Sequence, residues 1–218
     1  MTPSNDRFRE LRRLLRSYEV TGYAFDDTED HCGVALGAYL RRAALDPVRA
    51  GRAAAEIDDL LAVGLFSDEV ADDVDLFPQI RPPHGKTVEG CLAVIAGHLR
   101  RFLADPAAPS PSPPQTAWEW KERFPELSNL LGAYFHQDFS LEYSSHREAL
   151  DDYASDASEG DLRQVADEIH EFLTVNDSDQ LLKKSAATLG LGVLPPQGVR
   201  LRQWLADVRE ILLHEPRR

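Results

Sequence analysis

Residues 124–139 read Phe124-Pro-Glu-Leu-Ser-Asn-Leu-Leu-Gly-Ala-Tyr-Phe-His-Gln-Asp-Phe139. Within this stretch, Leu127, Leu130 and Leu131 recur at the spacing of one helical face, which predicts a helix with a buried side. Pro125 lies where the first turn of a helix tolerates a missing N–H, so the helix is expected to begin there. The stretch therefore predicts a core helix early in the second half of the chain.

The first half of the chain repeats the second half in diverged form. Residues 7–18 align with residues 123–134, because both carry Arg-Phe, then Glu-Leu, then Leu-Leu and finally Tyr at the same spacing. Further along, Pro82-Pro83-His-Gly85 aligns with Pro195-Pro196-Gln-Gly198, and an apolar stripe follows each of them. A repeat of this length indicates a tandem duplication of a whole domain rather than a solenoid of short repeats.

A proline-rich segment separates the two repeats and reads Asp105-Pro-Ala-Ala-Pro-Ser-Pro-Ser-Pro-Pro114. Such a composition favours an extended, semi-rigid linker. We therefore predict a diverged helical unit in residues 1–104, a linker in residues 105–116 and a second helical unit in residues 117–218.

Helical spacing dominates both repeats. The last helix of the first repeat is predicted by apolar residues that share one helical face, namely Val88, Leu92, Ile95, Leu99 and Phe102. The second repeat shows the same spacing in Leu201, Leu205, Val208 and Leu212. The sequence thus predicts a long amphipathic helix at the end of each repeat.

Helix starts are also visible in the second repeat. Ser145 with Glu148, and Ser158 with Asp161, have the spacing of capping boxes, which satisfy the unpaired N–H groups of a first turn. Between the first stretch and these caps, residues 139–143 alternate briefly between apolar and polar, which predicts a short extended link. The fold class that we predict is all-α, with two tandem helical-bundle units of similar topology.

The charge of the chain is strongly negative. It holds 24 Lys and Arg residues against 37 Asp and Glu residues, a formal net charge of −13. This charge argues against a nucleic-acid or anionic-membrane partner, because phosphates require a basic surface, and it favours a basic protein partner. No run of about 18 apolar residues predicts a membrane span, and no signal peptide is visible, so we expect a cytoplasmic protein.

Residue types with catalytic potential are few. His136 and Asp138 form a compact polar cluster, with Glu142 nearby, and they fit an acid–base pair, half of a metal site or a tether between a helix end and a loop. Cys32 and Cys91 lie far apart and suggest neither a zinc site nor a disulfide. We predict no catalytic residue, no metal and no cofactor, and the chain is not expected to be an enzyme.

The stretch 124–139 resembles the signature opening of the contact-dependent growth inhibition (CDI) immunity proteins, a bacterial family of small helical proteins that neutralise a toxin domain. The resemblance covers residues 124–214 and also includes the Pro-Pro turn and a Trp-Leu pair in the last helix. The first repeat resembles the family more weakly, because it lacks the polar part of the signature. The signature residues are Tyr134, Phe135, His136, Gln137, Asp138, Phe139, Pro195, Pro196 and Trp204.

The resemblance implies a protein that binds the C-terminal domain of a cognate toxin without catalysis. With the acidity of the chain, it suggests that the toxin is a basic nuclease whose active site is masked by carboxylates. The candidate toxin-binding residues are Glu142, Glu148, Asp151, Asp152, Asp156, Glu159 and Asp161. A duplicated chain can form a pseudo-twofold interface within itself, so a monomer is expected.

Two other functions remain open at this point. A small metal-dependent hydrolase would use His136, Asp138 and Glu142. A helical adaptor protein would bind a partner unrelated to toxins. An immunity gene is expected directly downstream of a large toxin gene, which would separate the immunity function from the adaptor function.

Overall fold

Helices build both halves of the chain in the computed structural model, which describes residues 8–65, 80–105 and 113–214. These residues form eleven α-helices and no β-strand, which confirms the all-α prediction. The chain divides into two compact units, Met1–Ser112 (unit one) and Pro113–Arg218 (unit two). Most of the predicted linker, residues 106–112, lies outside the described residues. The tandem duplication stays a prediction.

Unit one contains four described α-helices. Helix α1 spans Arg9–Arg16 and continues into a 3-10 turn at Ser17–Thr21, and it is followed by α2 (Val34–Ala43), α3 (Pro47–Val63) and α4 (Val88–Ala104). Helix α3 is the centre of the unit, because both α1 and α4 pack against it.

Two of the four described helices of unit one, α3 and α4, have side-chain caps at their starts. The Asp46 side chain accepts a hydrogen bond from the Val48 N–H at the start of α3, and Thr87 does the same for Gly90 at the start of α4. The predicted apolar stripe of α4 faces the core, since Leu92, Ile95 and Leu99 are at most 2% exposed. The prediction of a long amphipathic helix at this position is therefore confirmed.

Unit two contains seven α-helices and one π-helical turn among its described residues. They are α5 (Ala117–Arg123), α6 (Pro125–Asn129), the π-helix (Leu130–Tyr134), α7 (Phe139–Glu142), α8 (His146–Asp156), α9 (Glu159–Val175), α10 (Asp179–Thr188) and α11 (Leu201–His214). Helix α9 is the central element, because α11 and α6 both pack against it. Pro125 is the first residue of α6, as predicted.

Aromatic side chains fill the core of unit two. The Phe172 ring on α9 lies edge-on to Phe124 at 5.3 Å and to Trp120 at 5.7 Å between ring centroids. Edge-to-face pairs of this kind add to the stabilisation that comes from burying the rings. They fix α5 and the start of α6 against the central helix.

The predicted extended link at residues 139–143 is wrong, because residues Phe139–Glu142 form α7. The Tyr143 N–H donates to the Phe139 carbonyl at 2.9 Å, which is a helical hydrogen bond. Phe139 is buried while Leu141 is 84% exposed. Phe139 and Tyr143, four residues apart, lie on one helical side, and this spacing also satisfies an alternating pattern.

The capping predictions are confirmed at one site and half confirmed at the other. Ser158 and Asp161 form the predicted capping box at the start of α9. Ser145 accepts from the Glu148 N–H at the start of α8, but the Glu148 carboxylate accepts from the backbone and hydroxyl of Ser144. The second box is therefore shifted by one residue on its carboxylate side.

In each unit a glutamate holds the start of one helix, α1 in unit one and α6 in unit two. The Glu56 carboxylate accepts from the Leu11 N–H at 2.7 Å, and the buried Glu168 carboxylate accepts from the Leu127 N–H at 2.8 Å. Leu11 and Leu127 are paired in the predicted repeat. A carboxylate at this position satisfies an N–H group of a first helical turn, which otherwise has no partner within the helix.

We expect Glu168→Ala to lower the free energy of unfolding by about 1–3 kcal/mol, because the Leu127 N–H would be left buried without its acceptor. Glu168→Gln retains an acceptor oxygen and should be much milder. Asp167→Ala, one residue away on an exposed position, is the matched control. Urea unfolding of the three variants measures the difference, and an equal loss in Asp167→Ala would contradict the assigned role of Glu168.

Comparison of the wild type with Glu168→Gln also tests the electrostatics of Glu168. Burial raises the pKa of Glu168 above the ordinary value of 4.5, although the Leu127 N–H lowers it in part. The folded protein then keeps the proton to higher pH than the unfolded chain, so stability falls as pH rises from about 4.5 through the folded-state pKa. Relative to Glu168→Gln, the wild type should lose stability over this window. Parallel pH profiles of the two proteins would mean that the pKa of Glu168 is not raised, and would contradict this prediction.

Candidate functional site

Three of the four signature aromatics of unit two lie in its core: Phe135, Phe139 and Trp204. Phe135 is fully buried, stacks on Phe139 at 5.7 Å and meets the edge of Trp204 at 5.1 Å between ring centroids. His146, at the start of α8, packs against the same three rings. Together with His146, these signature residues therefore join the end of the π-helix, α7, α8 and α11.

The π-helix and the residues on either side of it also support the segment at the end of α10. The Gly192 N–H donates to the Phe135 carbonyl at 2.8 Å, and the Ser128 hydroxyl donates to the Leu189 carbonyl at 3.2 Å. The backbones of Gly190 and Gly132 approach so closely that a Cβ atom on Gly190 would lie 2.6 Å from the Cα atom of Gly132. Residues 189–192 therefore pack against the signature segment.

The polar part of the signature forms local contacts at the surface. His136 is half-buried; its Nδ1 atom accepts from the Asp138 backbone N–H at 3.2 Å, and its Nε2 atom lies 3.4 Å from a Glu142 carboxylate oxygen. These contacts tie the turn after the π-helix to the end of α7. Among the described residues no group of three or more His, Cys, Asp or Glu side chains is placed to hold a metal ion.

The remaining signature residues lie at or near the surface. Gln137 and Asp138 are exposed, and Pro195 and Pro196 are half-buried. Tyr134 is half-buried, with its ring edge-on to Tyr153 at 5.2 Å and stacked on Tyr143 at 6.3 Å. Burial raises the pKa of Tyr134, and the charges of Asp156 and Asp152 raise it further.

The seven candidate toxin-binding carboxylates are all exposed. Four of them lie on α8, where Ala149, Leu150 and Tyr153 are buried on the opposite side. We call these four the acidic face of α8: Glu148, Asp151, Asp152 and Asp156. Residues 148, 152 and 156 follow each other at four-residue spacing, which places them on one side of the helix. The acidic face therefore presents carboxylates in a row.

Two of the seven carboxylates also stabilise the fold. Glu148 accepts from the Ser144 hydroxyl at 2.6 Å and from the Ser144 N–H at 2.8 Å, and these bonds lower its pKa. Asp161 accepts from the Ser158 N–H at 2.9 Å, and its pKa is also lowered by its bonds to Ser158. Both groups are negatively charged at neutral pH, but substituting them would also weaken a helix start.

Asp151 and Asp152 are better placed to contact a partner. The Tyr143 hydroxyl donates to Asp152 at 2.7 Å, and this bond raises the pKa of Tyr143 to about 12. Arg147 donates to Asp151 at 2.8 Å across one helical turn. At the start of α9, Glu159 pairs with Arg163 in the same way. Such exposed pairs contribute little to stability, so these carboxylates are available for exchange with a partner's cations.

Two exposed leucines near the signature were missed in the sequence. Leu141 is 84% exposed on α7, and Leu194 is 77% exposed in the loop before the Pro-Pro turn. The Leu194 carbonyl lies 3.0 Å from His146 Nε2, and Leu141 lies two residues after Phe139, so both leucines flank the Phe135 aromatic cluster. In the sequence each of them is a single apolar residue, and single apolar residues are common at protein surfaces, so neither one stood out.

An all-α domain that buries most of its signature aromatics and exposes a row of carboxylates has the features of a protein-binding module. Residues 123–212, within unit two, match the family whose description is CdiI immunity protein. The match confirms the resemblance of the second repeat, whereas the weaker resemblance of the first repeat stays a prediction. Neither a curated protein nor a solved structure matches the chain.

The family implies a toxin-neutralising immunity function with a cognate toxin protein as the partner. Immunity proteins of this family are generally not enzymes. None of the described helices is long and apolar enough to cross a membrane.

Proposed function

We propose that unit two neutralises a cognate toxin domain by covering its active site, and that this toxin is a basic nuclease. The observation that carries the proposal is the acidic face of α8. A nuclease must present cations to the phosphates of its substrate, and exposed carboxylates are the protein groups that complement such cations.

The net charge of −13 supports the same partner. Complementary charge speeds the encounter of two proteins and selects the orientation in which they meet. A carboxylate row that fills a phosphate-binding groove would compete directly with the nucleic-acid substrate. Inhibition then requires binding alone, so the protein acts stoichiometrically and without turnover.

Charge alone does not provide a tight complex, because exposed ion pairs contribute little after desolvation. Protein interfaces are usually held by a few apolar or aromatic anchors that a polar rim surrounds. Leu141 and Leu194 supply such anchors beside the signature, and Glu142 adds a carboxylate next to Leu141. We therefore place the contact surface on α7, α8 and the loop that holds Leu194.

The remaining parts of the proposal concern the rest of the chain. Unit one, which lacks the polar part of the signature, is assigned the role of a structural companion within a tandem duplication, with residues 105–116 as the linker. The protein acts as a monomer, in the cytoplasm of the cell that makes the toxin.

The proposal is tested by purifying the full chain with its bound partner from the native cell and identifying the partner by mass spectrometry. The expected result is one basic protein domain per chain, measured by light scattering, whose nuclease activity is restored when the complex is dissociated. A partner without nuclease activity would reject the nuclease assignment. Recovery of no partner from cells that express the neighbouring genes would reject the immunity function.

We expect the double substitution Asp151→Lys and Asp152→Lys to weaken toxin binding by about 10- to 100-fold, because the new cations face the cations of the toxin. The loss should shrink as salt is added, since salt screens exposed charges. Isothermal titration calorimetry at two salt concentrations measures both effects.

The matched control is the double substitution Asp167→Lys and Asp207→Lys, on exposed positions of α9 and α11. It changes the net charge by the same amount but leaves the acidic face of α8 intact. Equal losses in both double variants would mean that only the total charge matters, and no loss in either would contradict the masking surface.

A further inference from the structure

A thiol and an imidazole face each other in unit one. The Sγ atom of Cys32, in the loop before α2, lies 3.0 Å from the Nδ1 atom of His98 on α4. Cys32 is half-buried and therefore reachable from solvent, whereas His98 is only 6% exposed. Cys32 forms no disulfide bond. Neither residue belongs to the proposed toxin-binding surface, which lies in unit two.

The surroundings of His98 determine which of its nitrogen atoms carries the hydrogen. Its Nε2 atom lies 2.6 Å from the carbonyl oxygen of Thr28. A carbonyl oxygen only accepts, so Nε2 is the donor, and in the neutral ring Nδ1 then presents its lone pair to the thiol. That lone pair also faces the Nη2 atom of Arg101 at 3.0 Å, so the thiol and the guanidinium share it. An imidazole that a hydrogen bond orients, with its acceptor nitrogen beside a thiol, is the arrangement that activates a nucleophile.

Charged groups around the thiol act in opposite directions. Burial raises the pKa of the Cys32 thiol, the carboxylate of Asp27 raises it further, and the guanidinium of Arg101 lowers it. The Nη2 atom of Arg101 lies 3.0 Å from His98 Nδ1 and also donates to the carbonyl oxygen of Glu29. The resting group is thus a protonated thiol, and its reactivity depends on a base that removes the proton during attack.

We propose that Cys32 and His98 form a nucleophile–base pair whose thiol exchanges with small disulfides. As Cys32 Sγ attacks one sulfur of a disulfide RS–SR, the thiol proton passes to His98 Nδ1. The Cys32–S–SR bond forms, the RS–SR bond breaks, and the leaving RS⁻ takes the proton from His98 and departs as RSH. Cys32 is oxidised to a mixed disulfide, and one RS group is reduced to a thiol.

The second cysteine of the chain serves as an internal control for this reaction. This cysteine, Cys91 on α4, is fully buried. Burial raises the pKa of the Cys91 thiol as well. Reaction at Cys32 but not at Cys91 would therefore follow from access and from the neighbouring base, and not from a thiol pKa lowered below that of an ordinary cysteine.

The test uses the full chain and the aromatic disulfide 5,5′-dithiobis(2-nitrobenzoate), with intact mass and released thiol as readouts. We expect one label per native chain, located at Cys32 and absent from Cys32→Ser, and a second label only after denaturation. His98→Gln keeps a donor to the Thr28 carbonyl but removes the base, and it should slow labelling about 100-fold at neutral pH.

Arg101→Gln is a second variant that is expected to fold, because Arg101 is exposed. It should slow labelling several-fold, since the charge that stabilises the developing thiolate is removed. The matched control, Arg100→Gln, removes an exposed arginine that pairs with Asp58 and should leave the rate unchanged. A hydrogen bond without catalytic consequence predicts the opposite, because the sulfur freed from its acceptor would react at least as fast in His98→Gln. Unchanged or faster labelling in the two site variants, or no native label at Cys32, would overturn the proposal.

Discussion

Phe135→Ala is expected to lower the free energy of unfolding of unit two by about 3–5 kcal/mol, the cost of deleting a fully buried aromatic ring. Phe135 is 0% exposed and contacts Phe139, His146 and Trp204 from three different helices. The cavity would lie between α11 and the end of the π-helix, and no single neighbouring side chain could fill it. All three tryptophans of the chain lie in unit two, so urea unfolding followed by tryptophan fluorescence reports on this unit.

Leu141→Ala is the matched control for this prediction, because it truncates an apolar side chain in the adjoining helix that is 84% exposed. Its free energy of unfolding should stay within about 0.5 kcal/mol of the wild type. The two variants should also differ in function, with toxin affinity reduced in Leu141→Ala and unchanged in the folded fraction of Phe135→Ala. A milder effect of Phe135→Ala than of Leu141→Ala on stability would contradict the assignment of Phe135 to the core.

Local sequence patterns were sufficient to predict most of the fold. The predicted face of Leu127, Leu130 and Leu131 is buried, and the helices at the end of each repeat lie where the apolar spacing placed them. Long amphipathic helices are predictable because each apolar residue adds to the same periodic signal. Residues 139–143 were assigned wrongly, because four residues carry too little periodicity and the buried contacts of Phe139 determine their conformation.

The chemistry of the candidate site was less predictable than the fold. Acidity identified the carboxylates of α8, but it gave no sign that Glu148 caps through Ser144 or that Tyr143 donates to Asp152. These roles depend on rotamers and turn geometry. The Cys32–His98 contact joins residues that are 66 positions apart in the chain, so only the packing of the loop before α2 against α4 brings them together. No local pattern encodes such a pair.

Gly190→Ala is the other substitution with a large expected effect, a loss of about 3 kcal/mol in the free energy of unfolding from backbone strain and overpacking. Gly190 has φ = +110°, a conformation that side chains with a Cβ atom rarely adopt. A Cβ atom there would also lie 2.6 Å from the Cα atom and 3.0 Å from the nitrogen of Gly132, which are backbone atoms that cannot rotate away. Residues 189–192 would have to leave the π-helix, and the Gly192 hydrogen bond to Phe135 would be lost.

Gly132→Ala provides the control on the other side of the same contact. A Cβ atom on Gly132 would lie 3.6 Å from the Leu189 carbonyl oxygen, which is ordinary van der Waals contact. Alanine also favours helical backbone over glycine by up to about 1 kcal/mol, so this variant should be as stable as the wild type or slightly more stable. Both variants add one methyl group to one of two glycines that face each other, but only Gly190→Ala should be destabilised. Thermal unfolding should therefore give clearly different melting temperatures for the two variants. Equal melting temperatures would mean that the segment after α10 does not pack on the π-helix, and the arrangement of Leu194 beside His146 would then have to be revised.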